Sequence, residues 1–405
     1  MNWIKDKWNA LPEKLRLYVV KVLEWAVVAV LASFASKWLN VNVEKQPFPV
    51  YVERDVAIVP VAEPSTGNGN HAMGWIPPTP EEQAQALATI KANQNGLDPD
   101  FSKLAKAALE AADADDPVFC WEAETKVLKR PLPTWNQGSI GSCVSHGVGR
   151  AAQDCIIIQI ASGAAEQWPG YEVAREPIYG GSRVQIGGGQ LGRGDGSMNS
   201  WAVAWLQKYG TIFYQKYDSV DLSNGYDVSR CRDYGNRGCP KALESEAQKH
   251  PIKTAALVKS AAEVWTALGN GYPVTIASNV GFQSPLREGF CARSGSWAHS
   301  MCVRGRFVHP SRGKCFVIQN SWGDYLKGGD NMLAVVGRAD KIQLPPGCFA
   351  CTSADMDAIA RQGDSFALSG FVGFPRQRID WSVRRFVPLE QDFARAREPE
   401  FALAP

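Results

Sequence analysis

The chain has 405 residues, 45% of them hydrophobic, enough for one large buried core or two moderate ones with appendages. Its 43 basic residues against 41 acidic ones exclude the cationic footprint that nucleic-acid binding requires. Ten cysteines lie too far apart for a dense disulfide scaffold, and no internal repeat points to a solenoid.

Residues 1–16 form a basic flank in which Lys5, Lys7, Lys14 and Arg16 outnumber Asp6 and Glu13. Residues 17–39 are apolar, and Trp25 to Ser36 carries no charge, but Lys21 and Glu24 interrupt the first half. A membrane span wants about 20 mostly apolar residues. Lys21 can snorkel toward the headgroups, which leaves Glu24 as the obstacle. The leading expectation is a single-pass membrane anchor. An amphipathic or oligomerising helix is the alternative, and a cleaved signal ranks last because no small-residue cleavage site follows. A spanning helix with this flank keeps the N-terminus in the cytoplasm and places the following domain on the extracytoplasmic side, where disulfides are permitted.

Residues 40–115 read as a linker carrying helices. Val50 to Val59 is β-like, and Glu63 to Asn70 is an exposed polar stretch. Pro80-Glu81-Glu82 opens a helix to about Asn93, with proline and acidic residues suited to a first turn. A second helix is expected from Pro99 to Ala112. The main domain is expected over residues 116–375, followed by a charged, proline-tipped tail at 376–405.

The stretch Pro133 to Gly147 joins a glycine-punctuated loop to an apolar-periodic segment. Val144, Val148, Ala151, Ala152, Cys155 and Ile158 recur mostly three or four apart, so a helix begins at Cys143 and presents that thiol on its first turn. Unpaired N–H groups and partial positive charge at a helix start favour a thiolate, lower its pKa, and can receive an oxyanion. Gln137, six residues earlier, offers a second donor. Gly147 and Gly149 each weaken the helix by about 1 kcal/mol relative to alanine, which points to close packing against another backbone.

Residues 175–197 are glycine-rich and read as an irregular loop framing a cleft, and Asn199 to Tyr209 reads as a helix. Cys231 and Cys239 flank a turn-like run from Asp233 to Gly238 and are spaced to close a short loop. Ser260 to Leu268 reads as a helix. Strands are expected at Pro273 to Ala277, Met301 to Val308, Lys314 to Gln319 and Met332 to Val336, with a last one within Asp364 to Pro375. Cys348 and Cys351 raise zinc as an option, but without a second close pair a disulfide or plain thiols are favoured, and no metal or cofactor is expected.

Of the five histidines, His71 lies in the linker, His250 in a polar stretch and His309 beside a proline. His146 shares a helix with Cys143, so its ring points around the cylinder. His299 precedes a strand and is flanked by apolar residues, the kind of fixed setting a general base needs. Another strand-like run, Cys315 to Gln319, ends at Asn320 beside Trp322. Cys143, His299 and Asn320 thus supply, in chain order, a thiol to attack, a base to ionise it and an amide to hold the imidazole tautomer. Trp322 is placed to shield that last bond from water.

These pieces resemble the papain-like cysteine peptidases. The match rests on Asn136-Gln137-Gly138-Ser139, Gly141-Ser142-Cys143, His299 in its apolar run and Asn320-Ser321-Trp322-Gly323. Gly194-Asp195-Gly196-Ser197 and the helix after it resemble the family's glycine turn. The resemblance implies an α+β domain of two parts, a helical half and a β-sheet half, with the cleft between them. It implies an endopeptidase acting on polypeptides through Cys143, His299, Asn320 and Gln137, with substrate contacts at Gly196, Ser197 and Ala298.

In that family an N-terminal segment often folds over the cleft. Residues 40–115 are in the right place, although the familiar pro-segment motif is missing, and self-processing between about Ala62 and Pro117 is the corresponding expectation. Ile140 stands where many members have a disulfide cysteine, and Val144 where they have tryptophan, so a local brace is absent. Ser197 replaces the second glycine of the turn, which argues against extended-peptide binding there. Two other readings use the same residues: a silent papain-fold binding or structural module, and acyl transfer to an amine in place of water.

Overall fold

The computed structural model describes residues 73–106, 109, 116–128, 132–163, 172–326 and 329–375. The basic flank, the apolar stretch 17–39, most of the linker and the tail 376–405 lie outside the described residues. No helix among the described residues is long and apolar enough to cross a membrane. The expected membrane-associated, extracytoplasmic location is therefore corrected. Within 17–39 itself the charge-free run extends only from Trp25 to Ser36 before Glu24 and Lys21 intervene, well short of a span.

Helix α1 (Pro80–Asn93) starts where the sequence predicts, with Thr79 and Glu82 forming a reciprocal capping box. Within the second expected helix, Phe101–Leu104 forms a turn capped by Asp100, Ala105 interrupts it, and Lys106 and Leu109 are again helical. Strand β1 (Val118–Phe119) leads into α2 (Cys120–Leu128), and α3 (Cys143–Ala161) follows with every residue but Gln159 buried. A helix buried all round must pair its polar members. Arg150 does so with Glu124 at 3.0 Å, and Asp154 with Arg304 at 2.8 Å. Helices α4 (Asn199–Lys208) and α5 (Val228–Arg237) and the short helix Lys241–Ala247 also belong to this half.

Two stretches differ from the sequence reading. Residues 175–197 begin with a helix, Arg175–Gly180, that runs into a π-helical turn, Gly181–Ile186. Arg183 organises the glycines beyond it: its buried guanidinium donates to the carbonyls of Gly235 at 2.8 Å, Gly192 at 2.9 Å and Gly194 at 2.5 Å, and also to Gly196. Cys231 lies inside α5, not at a turn, because Asp227 caps that helix through the Arg230 amide. Cys231 and Cys239 are free, buried thiols in separate apolar clusters, so the expected loop closure is not made.

The second half is a seven-stranded sheet. Strands β2 (Thr254–Leu257), β3 (Val274–Arg287), β4 (Phe290–His309) and β5 (Gly313–Gln319) are joined by β8 (Cys348–Thr352) and β9 (Phe366–Ser369) in the order β2-β9-β3-β4-β5-β8, with β1 also paired to β4. Strands β6 (Met332–Leu333) and β7 (Ile342–Gln343) make a separate small ribbon.

Alternate residues of β3 and β4 enter different cores, as strand geometry requires. Ile276, Met301 and Val303 pack in the cluster that contains Val264 and Trp265 of helix α6 (Ala261–Gly269) and Met356 and Ile359 of α7 (Ser353–Ala360). Ala277 and Cys302 join the cluster of Val148, Ala151 and Cys155 on α3. The sheet is therefore clamped between α3 on one face and α6 and α7 on the other. Gly147 permits the closest approach: a Cβ there would meet Ser300 Oγ at 2.6 Å and the Met301 amide nitrogen at 3.0 Å. The expectation drawn from that glycine holds.

Candidate active site

Pairing within the sheet sets two of the expected residues beside each other. Cys302 of β4 pairs with Gln319, the last residue of β5, so His299 and Asn320 emerge at the same end. His299 Nε2 lies 2.7 Å from Asn320 Oδ1. That same oxygen receives the Ser321 amide at 2.6 Å, which marks it as the acceptor end of the carboxamide. Nε2 therefore carries the proton, and Nδ1 keeps the lone pair. The indole of Trp322 lies over the pair, its ring 4.6 Å from the imidazole, and is itself covered by Trp297 at 4.8 Å. His299 and Asn320 are 1% and 2% exposed, so their bond is shielded from water.

Cys143 opens α3, whose N-cap, Ser142, makes no side-chain cap bond to the first turn. Gly147, one turn along the same helix, packs on Ser300 and Met301, so the first turn that bears the thiol lies against the strand that carries the imidazole. Burial pushes the Cys143 thiol up to about 12, while N–H groups of Ser300, Gly74, Val144 and Cys143 itself pull the other way. This corrects the expected lowering. In the closed cleft desolvation outweighs the helix N-terminus.

Gln137 is fully buried and held on both sides. Its Nε2 donates to the Ile140 carbonyl at 3.0 Å, and its Oε1 accepts from Ser321 Oγ at 2.6 Å. Its own amide donates to the Ser321 carbonyl at 2.8 Å, and the Gly323 amide donates to the Trp135 carbonyl at 2.9 Å. The loop before Cys143 and the segment after β5 are thus stitched together, and Ser321 fixes which end of the Gln137 amide faces forward. His146 does not join the group: it is buried on α3, and its Nδ1 lies 3.0 Å from the Ser142 carbonyl.

The three expected substrate contacts are all occupied by the chain itself. The Gly74 and Trp75 amides donate to the Ala298 carbonyl at 3.2 and 3.0 Å. Ser197 accepts from the Ile76 amide at 2.9 Å and donates to the Gly74 carbonyl at 2.8 Å, a parallel pairing centred on Trp75. Gly196 lies against this strand, since a Cβ there would come 2.9 Å from the Gly74 carbonyl. Backbone atoms of Ser197 make the pairing, and its side chain turns away to Ser182 Oγ at 2.8 Å.

Sequence reasoning missed the occupant, Met73 to Ile76. A signal was present: two prolines follow Ile76, and a residue before proline is biased toward extended backbone. It also missed Asp364, which holds the Trp75 indole. Beneath the site it missed Arg304, whose guanidinium binds Asp154, Glu124 and Gln319 and so ties β4 and the end of β5 to α2 and α3.

The described residues form a helical half, whose central helix opens at Cys143, packed on an antiparallel sheet half, whose neighbouring strands β4 and β5 carry His299 and lead to Asn320. The fold is papain-like. No family profile matches the sequence, and no curated protein does. Among solved structures the chain is similar to xylellain, a cysteine protease from Xylella fastidiosa, at 18% identity over 65% of this chain and 88% of that one, with a TM-score of 0.42. It is also similar to digestive procathepsin L 3 of Tenebrio molitor larval midgut, at 13% identity over 72% and 93% and a TM-score of 0.38. The ragweed pollen allergen Amb a 11, a cysteine protease in its proform, matches at 15% identity over 63% and 65%, with a TM-score of 0.39.

Proposed function

We propose that the chain is a cysteine peptidase that hydrolyses peptide bonds of an extended polypeptide, and that its own segment Met73–Ile76 holds the groove closed until displaced. The observation that carries this reading is the occupant: an extended backbone bound through Ser197 and Ala298 and packed against Gly141, two residues before Cys143. A groove that pairs with backbone amides and carbonyls is suited to polypeptide.

In the proposed cycle the segment leaves, water and substrate reach the thiol, and His299 Nδ1 takes its proton. The thiolate attacks the scissile carbonyl carbon. The oxyanion is received by the Cys143 amide at the helix start and by the Gln137 side chain. The imidazolium returns its proton to the leaving amine, giving a thioester. His299 then takes a proton from water, hydroxide adds to the thioester, and collapse of that adduct releases the acid and restores the thiol. Asn320 and Trp322 keep Nδ1 aimed at the sulfur throughout.

The test is digestion of an unfolded protein by the full chain carrying Gly74→Ala, which opens the groove, beside the same chain with Cys143→Ala. Loss of digestion with the thiol supports the reading. Equal digestion by both, or by neither, defeats it.

A further inference from the structure

Trp75 is only 3% exposed, and its indole Nε1 donates to Asp364 Oδ2 at 2.8 Å. Asp364 is fully buried between α7 and β9, yet among the described residues no lysine or arginine forms an ion pair with it. Three N–H groups meet its charge, the Asn199 amide on Oδ2 at 2.9 Å, the Ser200 amide on Oδ1 at 2.8 Å, and the indole, with the Ser200 hydroxyl beside them. The first two belong to the start of α4 and stay in place. The third belongs to the segment that fills the groove.

Asp364 is also wired to the site. Asn199 accepts from Ser300 Oγ at 2.7 Å and donates to Thr275 Oγ1 at 3.1 Å, so the floor of the Trp75 pocket is continuous with the residue after His299. The backbone flanking Trp75 is held by Ser197 and Ala298, the groups that would hold a substrate.

We propose that this pocket is a specificity site, and that it selects polypeptides by a bulky side chain carrying an N–H donor, tryptophan foremost, whose donor replaces that of Trp75 on Asp364. The proposal rests on the peptidase reading in taking the ligand to be a substrate. An apolar side chain of the same size would fill the pocket but leave the buried carboxylate one donor short. A site built around a hydrogen bond discriminates strongly against an analogue that lacks it.

The test uses the full chain carrying Gly74→Ala, Trp75→Ala and Cys143→Ala, so that the pocket is vacated and nothing is cleaved. Two blocked peptides of the sequence Met73–Pro78 are titrated calorimetrically, one with tryptophan and one with 2-naphthylalanine in its place. The tryptophan peptide is expected to bind about 10- to 100-fold more tightly. That ratio should fall toward one when Asp364→Asn is added, provided the variant keeps a cooperative thermal transition. Equal binding of the two peptides, or binding of neither, overturns the proposal whether or not the Asn variant folds. A clear preference in a chain that, with Cys143 restored, cleaves no tryptophan-containing peptide would keep the pocket and sink the peptidase reading.

Discussion

One methyl group should open the groove. Gly74 lies against the loop before Cys143 so closely that a Cβ would fall 1.9 Å from the Gly141 carbonyl oxygen and 2.3 Å from its carbon, and backbone atoms cannot swing aside as a side-chain tip can. Gly141 is hemmed in reciprocally, with a Cβ there 2.6 Å from the Met73 carbonyl. Gly74→Ala therefore sets overpacking, worth about 1–3 kcal/mol, against the bonds that seat the segment. At 1.4 kcal/mol per tenfold, the open fraction should rise about 5- to 150-fold. The assay is the rate of Cys143 alkylation by iodoacetamide in the full chain, read by peptide mass mapping. The other nine cysteines are buried too and serve as internal controls. Selective acceleration at Cys143 is expected. An unchanged rate, or equal acceleration at all ten thiols, refutes the reasoning, the latter because it would mean general unfolding.

Further outcomes are expected. In the Gly74→Ala chain, Gln137→Ala should cut kcat on a peptide substrate by about 10² to 10³ if its amide receives the oxyanion, with KM little changed. Arg304→Ala leaves two buried carboxylates, Asp154 and Glu124, to the single cation Arg150, which should cost about 3–5 kcal/mol in urea unfolding. Burial pushes the Asp364 carboxyl from 3.8 up to about 7 despite the N–H groups of Trp75, Ser200 and Asn199. Between about pH 4 and 7 the folded chain then holds a proton that the unfolded chain has lost, so this group lowers stability as pH rises through that window. Asp364→Asn should flatten the corresponding fall in Tm. Self-processing between about Ala62 and Pro117 predicts that Cys143→Ala stays full length by intact mass while the wild-type chain shortens, and a shortened variant would exclude it.

The helices and strands that carry the site were legible because their signals are local. The apolar spacing after Cys143, the proline and acidic residues that open the helix at Pro80 and the apolar run from Met301 each fix an element from its own residues. The pairing of His299 with Asn320 could be expected from residue type, but its register comes from Cys302 opposite Gln319, a contact between strands that no local pattern encodes. Long-range bonds also hid the rest. Arg183 turns a glycine-rich run into a helix and a π turn by binding carbonyls on both sides, and Asp364 reaches Trp75 across 289 positions. The state of the thiol is hidden for the same reason: helix-start electrostatics can be read from Cys143 onward, whereas the burial that desolvates it comes from segments distant in sequence.

The central claim is that the imidazole of His299 activates the sulfur of Cys143. The direct measurement is the rate at which a thiol-directed epoxide labels Cys143 in the folded Gly74→Ala chain, with and without His299→Ala. Rapid, single-site labelling is expected, falling at least about tenfold when the imidazole is removed. Labelling at the same rate in both chains would contradict it.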